Sequence, residues 1–241
     1  MTERAHPLIE LRQYLTQPGA CDELVTLFDG EFLESQEAEG ISVLGQFRDE
    51  DDPDRFAWLR SFPDMTRRAA ALTAFYVDSA AWRAHGAHAT GLLRDVSDVL
   101  LLRPLTADSG FPGLAPRPDP GATELPDTRL LVTVYPLRDS GAGFADFFAS
   151  RLQPVLRKAG ADPIAVYVTE QTPNEFPMPV RTGHTLTWFA RFENTDQLQS
   201  HLNELEGAPE WARELLPELH DRLSGPIEQR RLAPTARSAF R

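Results

Sequence analysis

All four tryptophans of the chain fall into two matched sets. Trp58, Phe62, Trp82 and Pro104 recur as Trp188, Phe192, Trp211 and Pro234, at offsets of 130, 130, 129 and 130 residues. Upstream, the helical stripe Leu24, Leu27 and Phe28 recurs as Phe144, Phe147 and Phe148 at an offset of 120. About ten residues have therefore been added between these landmarks in the second copy, and the segment Glu170–Gly183, with Pro173, Pro177 and Pro179, is where they fit. Self-similarity of this kind marks a chain that builds one unit twice.

Each copy is read from its periodicities. Leu8 to Leu15 is a strand, followed by the turn signal Pro18-Gly19 and by Asp22 and Glu23, acids suited to the positive end of a helix. The stripe Leu24, Leu27, Phe28 and Phe32 predicts a helix from about Ala20 to Glu39, with Gly40 as its stop. Ile41 to Arg48 and Arg55 to Phe62 form a hairpin across the acidic turn 49–53. Asp64, and Asn194 at the same offset of 130, are good N-caps for the next helix. A last strand spans Val96 to Leu105. The order β-α-β-β-α-β recurs as strand 129–137, helix 144–159, strands 164–170 and 184–192, helix 194–205 and strand 226–233.

The expected fold is α+β: two tandem ferredoxin-like domains, residues 1–105 and 128–241, pairing their sheets into a barrel within one chain. A Pro/Gly-rich linker, 106–127, joins them. The excursion Gln171–Gly183 is expected to project as a lid or contact arm that can be shortened at little cost in stability, because prolines lack the amide donors of a strand ladder.

Composition narrows the function classes. A net charge of -12 over 241 residues repels phosphate backbones and anionic lipid, and the arginines are scattered, so neither nucleic acid nor membrane is an expected partner. The chain starts without an apolar leader and carries no stretch long enough to span a bilayer, which makes a cytoplasmic location the expectation. Cys21 stands alone and reads as a buried structural thiol.

On the first strand, a period of two places Glu10, Arg12 and Tyr14 on one face and Ile9, Leu11 and Leu15 on the other. With helices over the apolar face, the polar face is expected to look into the barrel. There it forms either a pocket, in which Arg12 holds an oxygen and Glu10 or Tyr14 moves a proton, or a hydrogen-bonded network that fixes sheet pairing. Trp58, Arg60 and Trp188 offer surfaces to a planar substrate, or pack the core. His85 and His88, three apart, are too few for a metal site, so no metal is expected. Gly-Ala-Gly at 141–143 lacks the setting of a dinucleotide loop.

The run Ile9-Glu10-Leu11-Arg12-Gln13-Tyr14, then Pro18-Gly19, with Phe56-Ala57-Trp58-Leu59-Arg60-Ser61-Phe62, resembles the NIPSNAP family over residues 8–104. In the second copy Thr133-Val134-Tyr135 replaces the Glu-x-Arg-x-Tyr pattern. The resemblance implies a dimeric α/β-barrel fold, shared with cofactor-independent quinone monooxygenases, haem-degrading monooxygenases and the chlorite dismutase group. Haem-degrading relatives pair the strand tryptophan with an asparagine and a histidine that this chain lacks beside Trp58. No cofactor is therefore expected, with haem on His201 as the alternative. The leading expectation is a monooxygenase or isomerase acting on an aromatic or polyketide-like substrate. A non-catalytic ligand-binding or interaction module, with or without homo-oligomerisation, stays open.

Overall fold

A computed structural model describes residues 6–141 and 143–241. The leader reading at residues 1–5 and Ala142 of the Gly-Ala-Gly run lie outside the described residues. The strands are β1 (Leu8–Thr16), β2 (Ser42–Asp49), β3 (Arg55–Phe62), β4 (Leu93–Asp95), β5 (Val99–Pro104), β6 (Arg129–Leu137), β7 (Ala165–Thr169), β8 (His184–Phe192) and β9 (Glu228–Pro234). Three of the strands expected from the sequence have the observed bounds and the others shift by a few residues at an end. Ladders run β3-β2-β9-β6-β8-β7-β5-β1, and β1 also pairs with β3, which closes an antiparallel barrel with β4 as a short flange on β1. The halves join along two seams, Phe47↔Pro234 between β2 and β9 and Leu102↔Thr169 between β5 and β7. Among the described residues, barrel closure within one chain leaves no sheet edge except the flange.

Helices cover the outside. Residues 21–38 and 144–158 follow the first strand of each half, and 65–78, 80–91, 195–207 and 211–222 follow the hairpins. The predicted caps are in place: Asp64 Oδ1 accepts from the Arg67 amide at 2.7 Å, and Asn194 Oδ1 accepts from Gln197 at 2.9 Å. Gly40 has a φ of +83°, which suits only glycine and ends the helix 21–38. π-helical turns occur at Phe28–Phe32, Ala74–Asp78, Phe148–Leu152 and Trp211–Leu215. The turn at Phe28–Phe32 recurs at the matching position Phe148–Leu152, so that pair belongs to the architecture rather than to a site.

The barrel interior is the first correction to the sequence reading. Every barrel strand sends apolar side chains into one continuous cluster, among them Ile9, Leu11, Phe47, Leu59, Val132 and Phe189. The polar face of β1 points the other way, and Tyr14 and Trp58 pack in the cluster under the helices of the first half. The physical reason is enclosure. Eight tilted strands leave space that side chains fill, and a charge there would meet neither water nor a partner.

The Pro/Gly-rich connection also does more than link. Phe111 is buried, with its ring 4.8 Å from Phe189 and 4.9 Å from Phe240, and its amide donates to the Tyr167 hydroxyl at 3.0 Å. Phe111→Ala should lower unfolding free energy by about 3–5 kcal/mol, while Leu125→Ala, 61% exposed in the same connection, should change it by less than about 0.5 kcal/mol. Urea titrations of the two variants check this.

Candidate functional site

The site grows from the register of β1 on β3. Glu10 lies opposite Arg60, Arg12 opposite Trp58 and Tyr14 opposite Phe56, so antiparallel pairing stacks an ion pair, a cation-aromatic pair and an aromatic pair on the helix-facing side. The next helix adds Arg68, four residues past its N-cap and on the same stripe as Leu72 and Phe75. Helix 21–38 adds Gln36.

These residues form a cluster with no exposure to solvent around one carboxylate. Glu10 Oε2 receives Arg12 Nη1 at 2.5 Å and Arg60 Nε at 2.7 Å, and Glu10 Oε1 receives Arg68 Nε at 2.5 Å. Burial alone would raise the Glu10 pKa, but Arg60, Arg12 and Arg68 together hold it well below the usual carboxylate range. Three guanidinium groups around the carboxylate favour its ionised form, which weighs for the hydrogen-bonded network over the proton carrier as the reading of Glu10. Three positive charges against one negative leave the cluster at +2, since Gln36 and Asn174, its other side-chain partners, are neutral.

Beside this cluster lies an apolar cavity of about 320 Å³ between the sheet and the helices. Phe28, Phe32 and Gln36 line one side, Phe75, Tyr76 and Trp82 another, and Tyr14, Phe56 and Trp58 form the floor. Tyr14 meets Trp58 edge-on at 6.1 Å, and Tyr76 meets Trp82 edge-on at 4.7 Å. The Arg60 guanidinium stacks 4.9 Å from the Trp58 ring. Tyr14 and Tyr76 connect cavity to cluster: Arg12 Nε donates to the Tyr14 oxygen at 2.5 Å, and Arg60 Nη1 donates to the Tyr76 oxygen at 3.2 Å. Burial pushes the Tyr14 pKa up to about 12 against the pull of Arg12, so the hydroxyl keeps its proton through the neutral range.

The cavity is roofed from the other half of the chain. The excursion Gln171–Gly183 does not project; it folds back and seats Phe176, Pro177 and Met178 on the cavity, with Phe176 buried in the first-half core. Asn174 Oδ1 accepts from Arg68 Nη1 at 2.8 Å, and Arg181 pairs with Glu228 at 2.6 Å. Prolines deny this segment a strand ladder, as expected, yet Phe176, Met178 and Val180 alternate with Pro177 and Pro179. That alternation gives one apolar face to bury.

Of the residues singled out from sequence, Glu10, Arg12, Tyr14, Trp58 and Arg60 come together. Trp188 does not: it is buried in the core of the second half. Where the first half has Glu10, Arg12, Arg60 and Arg68, the matching register and cap positions of the second half carry Leu131, Thr133, Ala190 and Leu198, while Tyr135 and Trp188 match Tyr14 and Trp58. Gln36 is matched by the buried Leu156. None of the four charged members is matched in the second half, and of the aromatic frame Tyr14, Phe28, Trp58 and Trp82 are matched by rings while Phe56 and Tyr76 are replaced by Leu186 and Glu206. Arg68, Gln36, Tyr76 and Asn174 were not read as site residues; an arginine on the Leu72-Phe75 stripe was the available signal for the first.

His201 is buried, stacked on Phe192 at 5.4 Å, with Nδ1 2.9 Å from the Ala159 carbonyl oxygen, and burial lowers its pKa. It belongs to the second-half core, away from the cavity. His85 and His88 pair with Glu31 and Glu23, and no cluster suited to a metal ion occurs among the described residues. Cys21 is buried as expected. Among the described residues no helix is long and apolar enough to cross a membrane.

Solved structures with this architecture are known. A candidate monooxygenase from Fusobacterium nucleatum matches with a TM-score of 0.58 at 10% identity, over 97% of this chain and 94% of its own. An anthrone oxidase-like protein matches with a TM-score of 0.58 at 12% identity, over 97% of this chain and 92% of its own. The chain shares their fold. A NIPSNAP family protein from Agrobacterium tumefaciens also matches, at 18% identity and a TM-score of 0.38, over 42% of this chain and 94% of its own. No family model and no curated protein sequence matches.

Glu10→Gln should cost about 3–5 kcal/mol at pH 7, because it strands three buried guanidinium groups. The Glu10 pKa is lower in the folded chain than its ordinary value of 4.5, so its contribution is present above that pH and is lost as pH falls through the folded value. The deficit should therefore narrow in acid, as followed by denaturant melts between pH 7 and 3. Replacing Glu10, Arg12, Arg60 and Arg68 together by the second-half residues Leu, Thr, Ala and Leu should cost less than Glu10→Gln alone.

Proposed function

We propose that this chain is a small-molecule enzyme of the barrel monooxygenase type, acting on a planar aromatic or polyketide-like substrate without a tightly bound cofactor. The observation that carries this reading is an aromatic-walled cavity whose polar contacts converge on two tyrosine hydroxyls backed by guanidinium groups. The fold shared with candidate monooxygenases and an anthrone oxidase-like protein supports it. A substrate of this class carries an acidic CH₂ conjugated through its aryl rings with a ketone. Once ionised to its enolate, it reduces dioxygen itself.

The protein's part is to hold the ring system between Phe28, Trp58 and Tyr76, to exclude water under Phe176 and Met178, and to direct the Tyr14 and Tyr76 hydroxyls at the enolate oxygen. The substrate's first proton passes to bulk water on entry, before the ring system is enclosed. In the net reaction the CH₂ loses both hydrogens and gains one oxygen atom as a carbonyl, and the second oxygen atom leaves as water. Trp188 has no place in this reading.

A second reading is a ligand carrier with the same pocket. It is favoured by the absence of any carboxylate or histidine among the residues lining the cavity, which leaves no general base there. Oxygen uptake with anthrone separates the two. The enzyme reading predicts uptake equimolar with anthrone and a loss of about 10²-fold in kcat for Tyr14→Phe or Tyr76→Phe. Saturable binding with no uptake above the uncatalysed rate would make the chain a carrier.

A further inference from the structure

We propose that the pocket receives its ligand as an anion, with an ionised phenol or enol oxygen held between the hydroxyl protons of Tyr14 and Tyr76. The inference rests on the reading of the cavity as a site for a planar hydroxyaromatic molecule and adds its charge state. Three arginines and one glutamate share the space behind the cavity floor, all without solvent exposure. Arginine cannot shed its charge, and a carboxylate with two oxygens has room for only part of three guanidinium forks. Arg12 Nη2 and Arg68 Nη2 have no hydrogen-bond partner, and neither has the Trp58 indole nitrogen on the cavity floor.

The direction of the bonds then decides what the cavity offers. The oxygens of Tyr14 and Tyr76 accept from Arg12 and Arg60, so each hydroxyl proton is left to donate elsewhere. Among the described residues neither finds an acceptor, and both residues line the cavity. Two donors polarised by adjacent guanidinium groups, in an apolar enclosure with an excess of positive charge, favour a negative oxygen over a neutral one. Tyr14 remains protonated at neutral pH because burial pushes its pKa up, so it competes with no anionic form of itself. At the matching positions of the second half, Tyr135 has Thr133 in place of the arginine and Ala190 and Leu198 in place of the other two. The chain is therefore expected to take one anion, in the first half.

The test uses the purified full chain and two dyes, 1,2-dihydroxyanthraquinone, whose absorption moves to longer wavelength on ionisation, and unsubstituted anthraquinone as its neutral counterpart. Spectra of the bound dihydroxy dye across pH 5 to 9 should show it ionised at least one pH unit below the free dye, a tenfold or greater preference for the anion. Tyr76→Phe, at a half-buried position that tolerates the change, should return most of that shift, as should Tyr14→Phe. Phe176→Ala should weaken both dyes alike and leave the shift in place. If the dihydroxy dye binds in its neutral form, or the parent anthraquinone binds as tightly, the anion inference is overturned while the pocket reading stands. If neither dye binds, both are overturned.

Discussion

One carboxylate ties the first half of this molecule together. Glu10 is the shared acceptor of Arg12 from its own strand, Arg60 from the neighbouring strand and Arg68 from the helix above. Each of those arginines then carries a second connection outward: Arg12 to Tyr14, Arg60 to Tyr76 and Gln36, and Arg68 to Asn174 in the roof. The floor, both walls and the roof of the cavity are thus referred to a single anion. A network of this kind positions groups well and stabilises little, because desolvating four charges offsets most of their mutual attraction.

The second half supplies the comparison within the same molecule. It has matching barrel strands, the matching helix cap Asn194, a π-helical turn in the matching first helix and a tryptophan on the matching strand, and it builds its core with Leu131, Ala190, Leu156 and Leu198 where the first half has charge or amide. The fold therefore does not require the cluster. The halves divide the work instead. The second completes the barrel and sends its Phe176 and Met178 across to close the cavity of the first.

Much of the fold was legible because it rests on local rules. Strand alternation put Glu10, Arg12 and Tyr14 on one face, Asp64 and Asn194 marked helix starts, and the matched tryptophans announced two like units. Which side of the sheet that face occupies was not legible, because a period of two separates the faces and cannot say which one the helices cover. The interior of the closed barrel is filled mainly by apolar side chains and holds no cluster of charges like that around Glu10, a constraint of the assembled fold that no single strand carries. Arg68, Tyr76 and Asn174 reach the site over separations of 58, 16 and 106 residues from their partners. Nothing local distinguishes them, apart from an arginine on an apolar stripe. The roof was visible as an excursion, but its prolines spoke for projection more loudly than the alternation of Phe176, Met178 and Val180 spoke for burial.

The central claim is that Glu10 stays ionised under an excess of positive charge, and its protonation state reports this most directly. A carbon-13 NMR titration of the Glu10 side-chain carboxyl in the folded protein, assigned by comparison with Glu10→Gln, follows it from pH 7 down to the onset of acid unfolding. The account predicts a signal that stays at the carboxylate position throughout that range. Titration near the ordinary glutamate value of 4.5 would show that the three arginines do not converge on it, and would contradict the account.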